Sequence, residues 1–401
     1  MKTSWVIRNI GHYFGFIIGF TFATALFIFL QLAPNIVVNE PDTALKFNLM
    51  DITVPVPVST ISSDEVYMRN ILGVDGPLEF SNYSAACSKD LVKLAWERPY
   101  AVTNTESSTC MSSFRNSPVS NSWFNKRFIP NMKLLIEKED INSWAEFSKL
   151  CKCLIPPIGY RKIERRGLIH LVNNDNYTST PVLTRSPGTC IKCAVVGTGG
   201  VLKGSKQGRE IDSYDVVFRT NRAHLKGYED DVGTKTTFYT AYPESIMMSD
   251  IEDIENAYLL EPLFTNYMVS WLEMFVNGSI PTMAESLRGG PRRYSNNGSF
   301  IQPQNVRIIH PDIIRHFQVN FLNSRTGYPS TGAIIIIAAM HMCDQVKVYG
   351  FGRHGNSSLH YYDSADVGKY VSRTNHNFLN EWEVWSKLQD YGVLSFYQPE
   401  S

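Results

Sequence analysis

Two histidines near the C-terminal end are the side chains best suited to move a proton. His360 lies in "LHYYD", with Tyr361, Tyr362 and Asp363, and His376 lies in "NHNFLNEWEVW". Imidazole gains and loses its proton near neutral pH, which suits it to general acid or base work. A lone histidine is more often an ordinary core or surface residue, so neither carries the argument by itself. Glu381 follows His376 by five positions. At roughly 100° per residue, five helical positions turn through about 140°, so the two side chains do not share a face. His376 is therefore expected in a loop, directly before a helix that carries Glu381, Val384, Trp385 and Leu388.

Upstream lies a stretch whose types suit anion binding: "CAVVGTGGVLKGSKQGREIDSYDVVFRTN", from Cys193 to Asn221. A short apolar run ends in Gly197, Thr198, Gly199 and Gly200, and a second apolar run ends in Arg219 and Asn221. Glycines after a strand let the backbone approach a phosphate or ribose. A dinucleotide fingerprint needs G-x-G-x-x-G and an acid closing the next strand. Here Val201 and Leu202 follow Gly200, Gly204 comes later, and "VFRTN" closes without an acid. A nicotinamide cofactor is disfavoured. A turn for another nucleotide and a plain strand-to-helix turn both remain. "YPSTGA", Tyr328 to Ala333, is a further candidate. Ser330, Thr331 and Gly332 open an apolar run, where hydroxyls and free N–H groups either hold phosphate or simply cap a helix.

These residues need a scaffold. Strand-like runs ("KCAVVG", "DVVFRTN", "TKTTFYTAY", "VRIIHP", "QVKVYGFG") alternate with helix-like runs. Such alternation predicts an α/β fold, Rossmann-like, with a mainly parallel sheet flanked by helices. "STGAIIIIAAMHMC" is too long and uniformly apolar for a strand and reads as a helix buried on all sides. "SWFNKRFIPNMKLLIEKEDINSWAEFSKL" has helical spacing, with Trp123, Phe128, Leu134, Leu135, Trp144 and Phe147 as expected core. "SDIEDIE", around Asp250 and Asp253, reads as a solvated helix face rather than a metal site.

The chain has 401 residues, 43% hydrophobic and 19% charged, which is ordinary globular composition. Thirty-eight basic residues balance 38 acidic ones, so no basic stripe for nucleic acid is expected. Residues 10–33, "IGHYFGFIIGFTFATALFIFLQLA", are uncharged, preceded by Lys2 and Arg8 and followed by Glu40 and Asp42. A spanning helix needs about 20 such residues, whereas a cleaved signal has an apolar region of about 7–15. The expectation is an uncleaved anchor, with the N-terminus cytosolic and the rest luminal. Residues 34–84 are irregular and rich in Pro, Ser and Asp, as in a stem. A luminal address favours disulfides among Cys87, Cys110, Cys151, Cys153, Cys190, Cys193 and Cys343. The CxxC of Cys190 and Cys193 lacks the second half of a zinc site. Sequons at Asn82, Asn176, Asn277, Asn297 and Asn356 are candidate N-glycosylation sites.

Taken in order, the four stretches resemble the four sialylmotifs of the animal sialyltransferases. The long motif corresponds to residues 193–239, the short to 328–350, the third to 360–363 and the very short to 376–381. "GGVLKGS", "FYTAY" and "NHNFLNEWEVWSKL" are most similar to the N-acetylgalactosaminide α-2,6-sialyltransferases. "YPES" and "YPSTG" are more similar to the galactoside α-2,3 enzymes. The resemblance implies a GT-A-like sialyltransferase variant of the Rossmann-like fold in residues 85–401, behind a cytoplasmic tail (1–9), an anchor (10–33) and a stem (34–84). It implies a Golgi type II single-pass membrane protein.

By the same resemblance the donor is CMP-sialic acid and the reaction is inverting and needs no metal or other cofactor. The acceptor is an O-linked GalNAc of a glycoprotein, joined by an α-2,6 bond. The alternatives are an α-2,3 bond to the galactose of Galβ1-3GalNAc, and a luminal nucleotide-sugar binder without catalysis. A homodimer is left open. His376 is implied as the base for the acceptor hydroxyl and His360 as the partner of the departing phosphate. Gly197, Thr198, Gly199, Asn221, Tyr328, Ser330, Thr331 and Gly332 are implied to hold CMP. Glu381 belongs to a motif but receives no role. Thr198 stands where the family often has Asn, which exchanges an amide for a hydroxyl. The family pattern pairs Cys193 with Cys343, and Cys190 with an N-terminal cysteine for which Cys110 is the first choice.

Overall fold

The computed structural model describes residues 89–103, 110–115, 122–151, 158–161, 163–179, 183, 188–240, 257–277, 283–285, 291–293, 303–324, 328–351, 357–365 and 376–399. The expected anchor, stem, acidic "SDIEDIE" run and sequons at Asn82, Asn297 and Asn356 lie outside them. Among the described residues, no helix is long and apolar enough to cross a membrane.

Among the described residues, seven strands form one parallel sheet: β1 (Lys192–Val196), β2 (Val216–Thr220), β3 (Phe238–Thr240), β4 (Tyr258–Glu261), β5 (Val306–Ile308), β6 (Gln345–Tyr349) and β7 (Ser395–Phe396). Their spatial order is β5-β4-β3-β2-β1-β6-β7, with every neighbouring pair parallel. All five residues of β2 are buried, as in a strand covered on both faces, whose sequence reads as a continuous apolar run. From β1 the chain passes to β2 on one side and later to β6 on the other. The gap between β1 and β6 is thus a topological switch point, and ligands in such sheets sit beyond the C-terminal strand ends at that place.

Helices α1 (Lys89–Glu97), α2 (Trp144–Cys151), α3 (Arg165–Val172), α4 (Asn266–Val276), α5 (Pro311–His316), α6 (Thr331–Met342) and α7 (Phe378–Asp390) surround the sheet. Helix α6 is buried continuously from Gly332 to Met340, which explains a sequence apolar all round rather than along one stripe. The Ser330 hydroxyl caps it by accepting the Ala333 N–H at 3.1 Å. At the other end Cys343 is joined to Cys193 of β1, and Cys110 is joined to Cys190 just before β1. The bridges span 150 and 80 residues, loops for which the chain-entropy account gives about 4–5 kcal/mol each.

A second anchor is ionic. Asp312 of α5 is fully buried and pairs with Arg98, after α1, and with Arg315 (Nε to Oδ1, 3.2 Å). Arg315 also donates to the Trp96 carbonyl at 2.7 Å. Burial pushes the Asp312 carboxyl up, but His310, Arg98 and Arg315 outweigh it and hold the pKa at about 2.

The run expected to be helical from Ser122 to Leu150 is broken. It forms short helices at Ser122–Asn125 and Lys138–Asn142, then α2. Between them, residues 132–136 run along the outer edge of β5, where Ile136 N donates to Ile308 O (2.9 Å) and His310 N to Leu134 O (2.7 Å). Pro130 has no N–H and stops helix propagation. The apolar residues at helical spacing instead cover an edge strand that would be open.

Candidate active site at the switch point

The glycine turn follows β1 and packs against the loop that leaves β6. Gly197 N donates to Tyr349 O at 2.8 Å and Gly199 N to Gly350 O at 3.0 Å. A Cβ on Gly199 would fall 2.5 Å from the Gly350 carbonyl. The Phe351 ring is wedged between two glycines: a Cβ on Gly197 would meet it at 2.7 Å and one on Gly332 at 2.4 Å. Glycine is therefore required here by the protein's own close packing. That packing brings the start of α6 against the turn after β1.

Asn221, after β2, has φ +53°, a left-handed conformation that asparagine tolerates better than most residues. Its N–H donates to Thr240 O at 2.9 Å, and the Tyr239 hydroxyl donates to its carbonyl. Arg219 beside it is fully buried and committed to the chain: Nε donates to Lys235 O (3.1 Å) and Thr236 Oγ1 (3.0 Å), Nη2 to Val232 O (2.8 Å).

The third stretch lies over the glycine turn. Tyr361 N donates to Thr198 O (2.8 Å) and Gly200 N to Ser358 O (3.1 Å). The buried Tyr361 hydroxyl donates to His224 O at 2.5 Å. His360 stacks on Tyr362, with centroids 4.9 Å apart and planes at 5°. Its Nδ1 lies 2.8 Å from Asp363 Oδ2. Slight burial raises the Asp363 carboxyl, but the Ala365 N–H and the His360 ring outweigh this and hold it below the usual carboxylate range. The ionised carboxylate can only accept, so His360 Nδ1 carries a proton.

His376 has a different setting. Its Nδ1 lies 3.1 Å from the Tyr328 carbonyl, and its ring meets Tyr328 edge-on at 5.1 Å. A carbonyl only accepts, so Nδ1 bears hydrogen and Nε2 of the neutral ring is left with its lone pair. Burial lowers the His376 pKa; the Tyr328 carbonyl opposes this but does not outweigh it. The ring precedes α7, whose N-cap is Asn377, and Glu381, Val384, Trp385 and Leu388 form its buried face.

Glu381 is 2% exposed. Its Oε1 accepts Ser330 N–H at 2.7 Å and its Oε2 lies 2.7 Å from Ser330 Oγ. Burial drives its pKa up to about 7, with the two Ser330 donors opposing. Sequence reasoning left this residue without a role. Its partner is 51 positions away, and no spacing rule connects them.

The expected donor residues and both histidines thus lie on loops or helix starts beyond the C-terminal ends of β1, β2 and β6. The sequons at Asn176 and Asn277 sit elsewhere, on an exposed surface where Asn176 Nδ2 donates to Val276 O at 3.1 Å. A separate cleft of about 770 Å³, lined by Ser112, Lys192, Tyr214, Gln345 and Ser395, lies at the N-terminal ends of β1 and β6. Among the described residues, no three His, Cys, Asp or Glu side chains are grouped as metal ligands.

Fold and site define a doubly wound α/β protein with histidines, hydroxyls and glycines gathered where such sheets bind nucleotides. The family model for glycosyltransferase family 29 (sialyltransferase) matches residues 138–393, and the chain belongs to that family. Mouse alpha-N-acetylgalactosaminide alpha-2,6-sialyltransferase 1 is 31% identical over 338 residues, covering 76% of this chain and 63% of the mouse protein. The human protein of that name is 32% identical over 321 residues, covering 72% and 52%. Mouse lactosylceramide alpha-2,3-sialyltransferase is 30% identical over 296 residues, covering 68% and 66%. The chain therefore spans only about half to under two thirds of the two alpha-2,6 relatives. A crystal structure of a mammalian sialyltransferase in complex with Gal-beta-1-3GalNAc-ortho-nitrophenol matches with a TM-score of 0.55 at 24% identity, covering 73% of this chain and all of that one. That likeness shows the fold.

Proposed function

We propose that the protein transfers sialic acid from CMP-sialic acid to O-linked GalNAc of glycoproteins through an α-2,6 bond, with inversion and without a metal. The observation that carries this reading is the convergence of the four motif stretches. His376 bonds to Tyr328, Glu381 to Ser330, Tyr361 to Thr198, and Gly199 to Gly350.

In the proposed step the acceptor hydroxyl oxygen attacks the anomeric carbon as the bond to the phosphate breaks. The hydroxyl proton passes to His376 Nε2, and CMP leaves with the bonding electrons. His360, its ring oriented by Asp363 through Nδ1, is the group assigned to the charge that grows on the departing phosphate. A carbonyl orients one ring and a carboxylate the other. Gly197, Thr198, Gly199, Asn221, Tyr328, Ser330, Thr331 and Gly332 would hold CMP.

We further propose residues 10–33 as a Golgi membrane anchor, residues 34–84 as a stem and residues 85–401 as the luminal catalytic domain, with N-glycans on the sequons. An α-2,3 linkage is the second reading, favoured by "YPES" and by the lactosylceramide relative. Incubating the full-length chain with CMP-sialic acid, EDTA and either a GalNAc glycopeptide or its Galβ1-3GalNAc counterpart decides between them. An α-2,6 product on GalNAc is expected. An α-2,3 product on galactose replaces the first reading, and no transfer to either rejects both.

A further inference from the structure

The Ser330 hydroxyl has one hydrogen and two lone pairs. One lone pair takes the Ala333 N–H at 3.1 Å. When Glu381 is ionised its oxygens can only accept, so the Ser330 hydrogen must point at Oε2, 2.7 Å away. In that state Ser330 has no hydrogen to offer an anion at the start of α6. The carboxylate also places a negative charge at the end of the helix where an anion would gain most from the dipole. Protonating Glu381 reverses both effects. Its new O–H donates to the second lone pair of Ser330, while Oε1 still accepts the Ser330 N–H. The Ser330 hydrogen is released, and the competing charge disappears.

We propose that Glu381 takes a proton from solvent when the phosphate of a nucleoside monophosphate docks at the start of α6, and that this proton switches Ser330 from donating to Glu381 to donating to the phosphate. Glu381 is then a positioning residue, acting on the donor through Ser330. The inference rests on the CMP-sialic acid reading.

The surroundings leave Glu381 free to make this change. Among the described residues, only burial and the two Ser330 donors shift it, and they bring it to about 7. His376, in the preceding loop, is turned to the Tyr328 carbonyl. Glu383 and Lys387 of α7 are exposed. From α5, Arg315 is committed to Asp312 and Trp96, and His316 to the Arg127 carbonyl at 2.6 Å. The first turn of α6, Thr331 to Ile334, has no titratable side chain.

The test is calorimetric titration of the full-length chain with CMP at pH 7.5, in two buffers of different ionisation enthalpy, for wild type and Glu381→Gln. Gln can keep both contacts, accepting from Ser330 N–H and donating to Oγ, but it cannot titrate. If docking moves the carboxyl by one pH unit, wild type takes up roughly half a proton more than the variant. The phosphate's own proton, with a pKa of about 6, is common to both and cancels. Cytidine, which lacks the phosphate, should show no difference. Equal proton counts with CMP would overturn the linkage and leave the transferase reading standing. Failure of the wild-type protein to bind CMP would reject that reading as well. A readout on wild type alone covers the case in which the variant does not fold. The infrared band of a protonated carboxyl should grow on adding CMP at pH 7.5, and an unchanged band overturns the proposal.

Discussion

Asp312 and Glu381 are both buried carboxylates beside a helix start, and their chemistry is opposite. Asp312 is gripped by two guanidinium groups, which overcome its burial and hold it ionised down to about pH 2. Among the described residues Glu381 has only the N–H and O–H of Ser330, and burial prevails, leaving it at about 7. The difference shows how partner choice decides whether a buried acid serves as a fixed support or as a group poised to titrate. The fixed one ties α1 to α5. The poised one lies under the proposed donor site.

Breaking the fixed side has the largest expected effect. Asp312→Ala leaves the buried Arg315 and the half-buried Arg98 guanidinium groups without their anion and should cost about 3–5 kcal/mol, read as a fall in the midpoint of denaturant unfolding. The poised side should show as a slope. Its raised pKa favours the folded state fully below the ordinary value of 4.5, and that contribution is lost as pH climbs to about 7. Glu381→Gln should flatten the pH dependence of stability across this window by up to about 3 kcal/mol. Asp312 has the reverse sign: its contribution is present above the ordinary 3.8 and fades as pH falls towards 2. Unfolding curves from pH 3 to 8 on wild type and the Gln variant would reveal a wrong assignment by parallel slopes. The smallest effect belongs to Asp363→Asn. Losing the carboxylate that orients the His360 ring through Nδ1 should lower kcat roughly tenfold and leave the acceptor KM unchanged.

Much of the scaffold was legible because it depends on local pattern. The five strand-like runs, the buried helix after Ser330 and the loop position of His376 follow from periodicity and helix geometry. The run around Pro130 misled because its apolar residues serve a sheet edge while keeping helical spacing. The glycines after β1 were read for a nucleotide, and the structure adds a reason the sequence could not show: Phe351 and Gly350 need the space. Glu381 could not be interpreted without its distant serine. Chemistry that depends on contacts across 51 positions has no signature in either segment alone.

In the proposed step His376 takes the acceptor proton. Single-turnover transfer from CMP-sialic acid to a GalNAc glycopeptide, comparing wild type with His376→Ala, tests it most directly. CMP should bind the variant within a few-fold of wild type, and transfer should be slower by about 10²–10⁴. Transfer at the wild-type rate in the variant would contradict it.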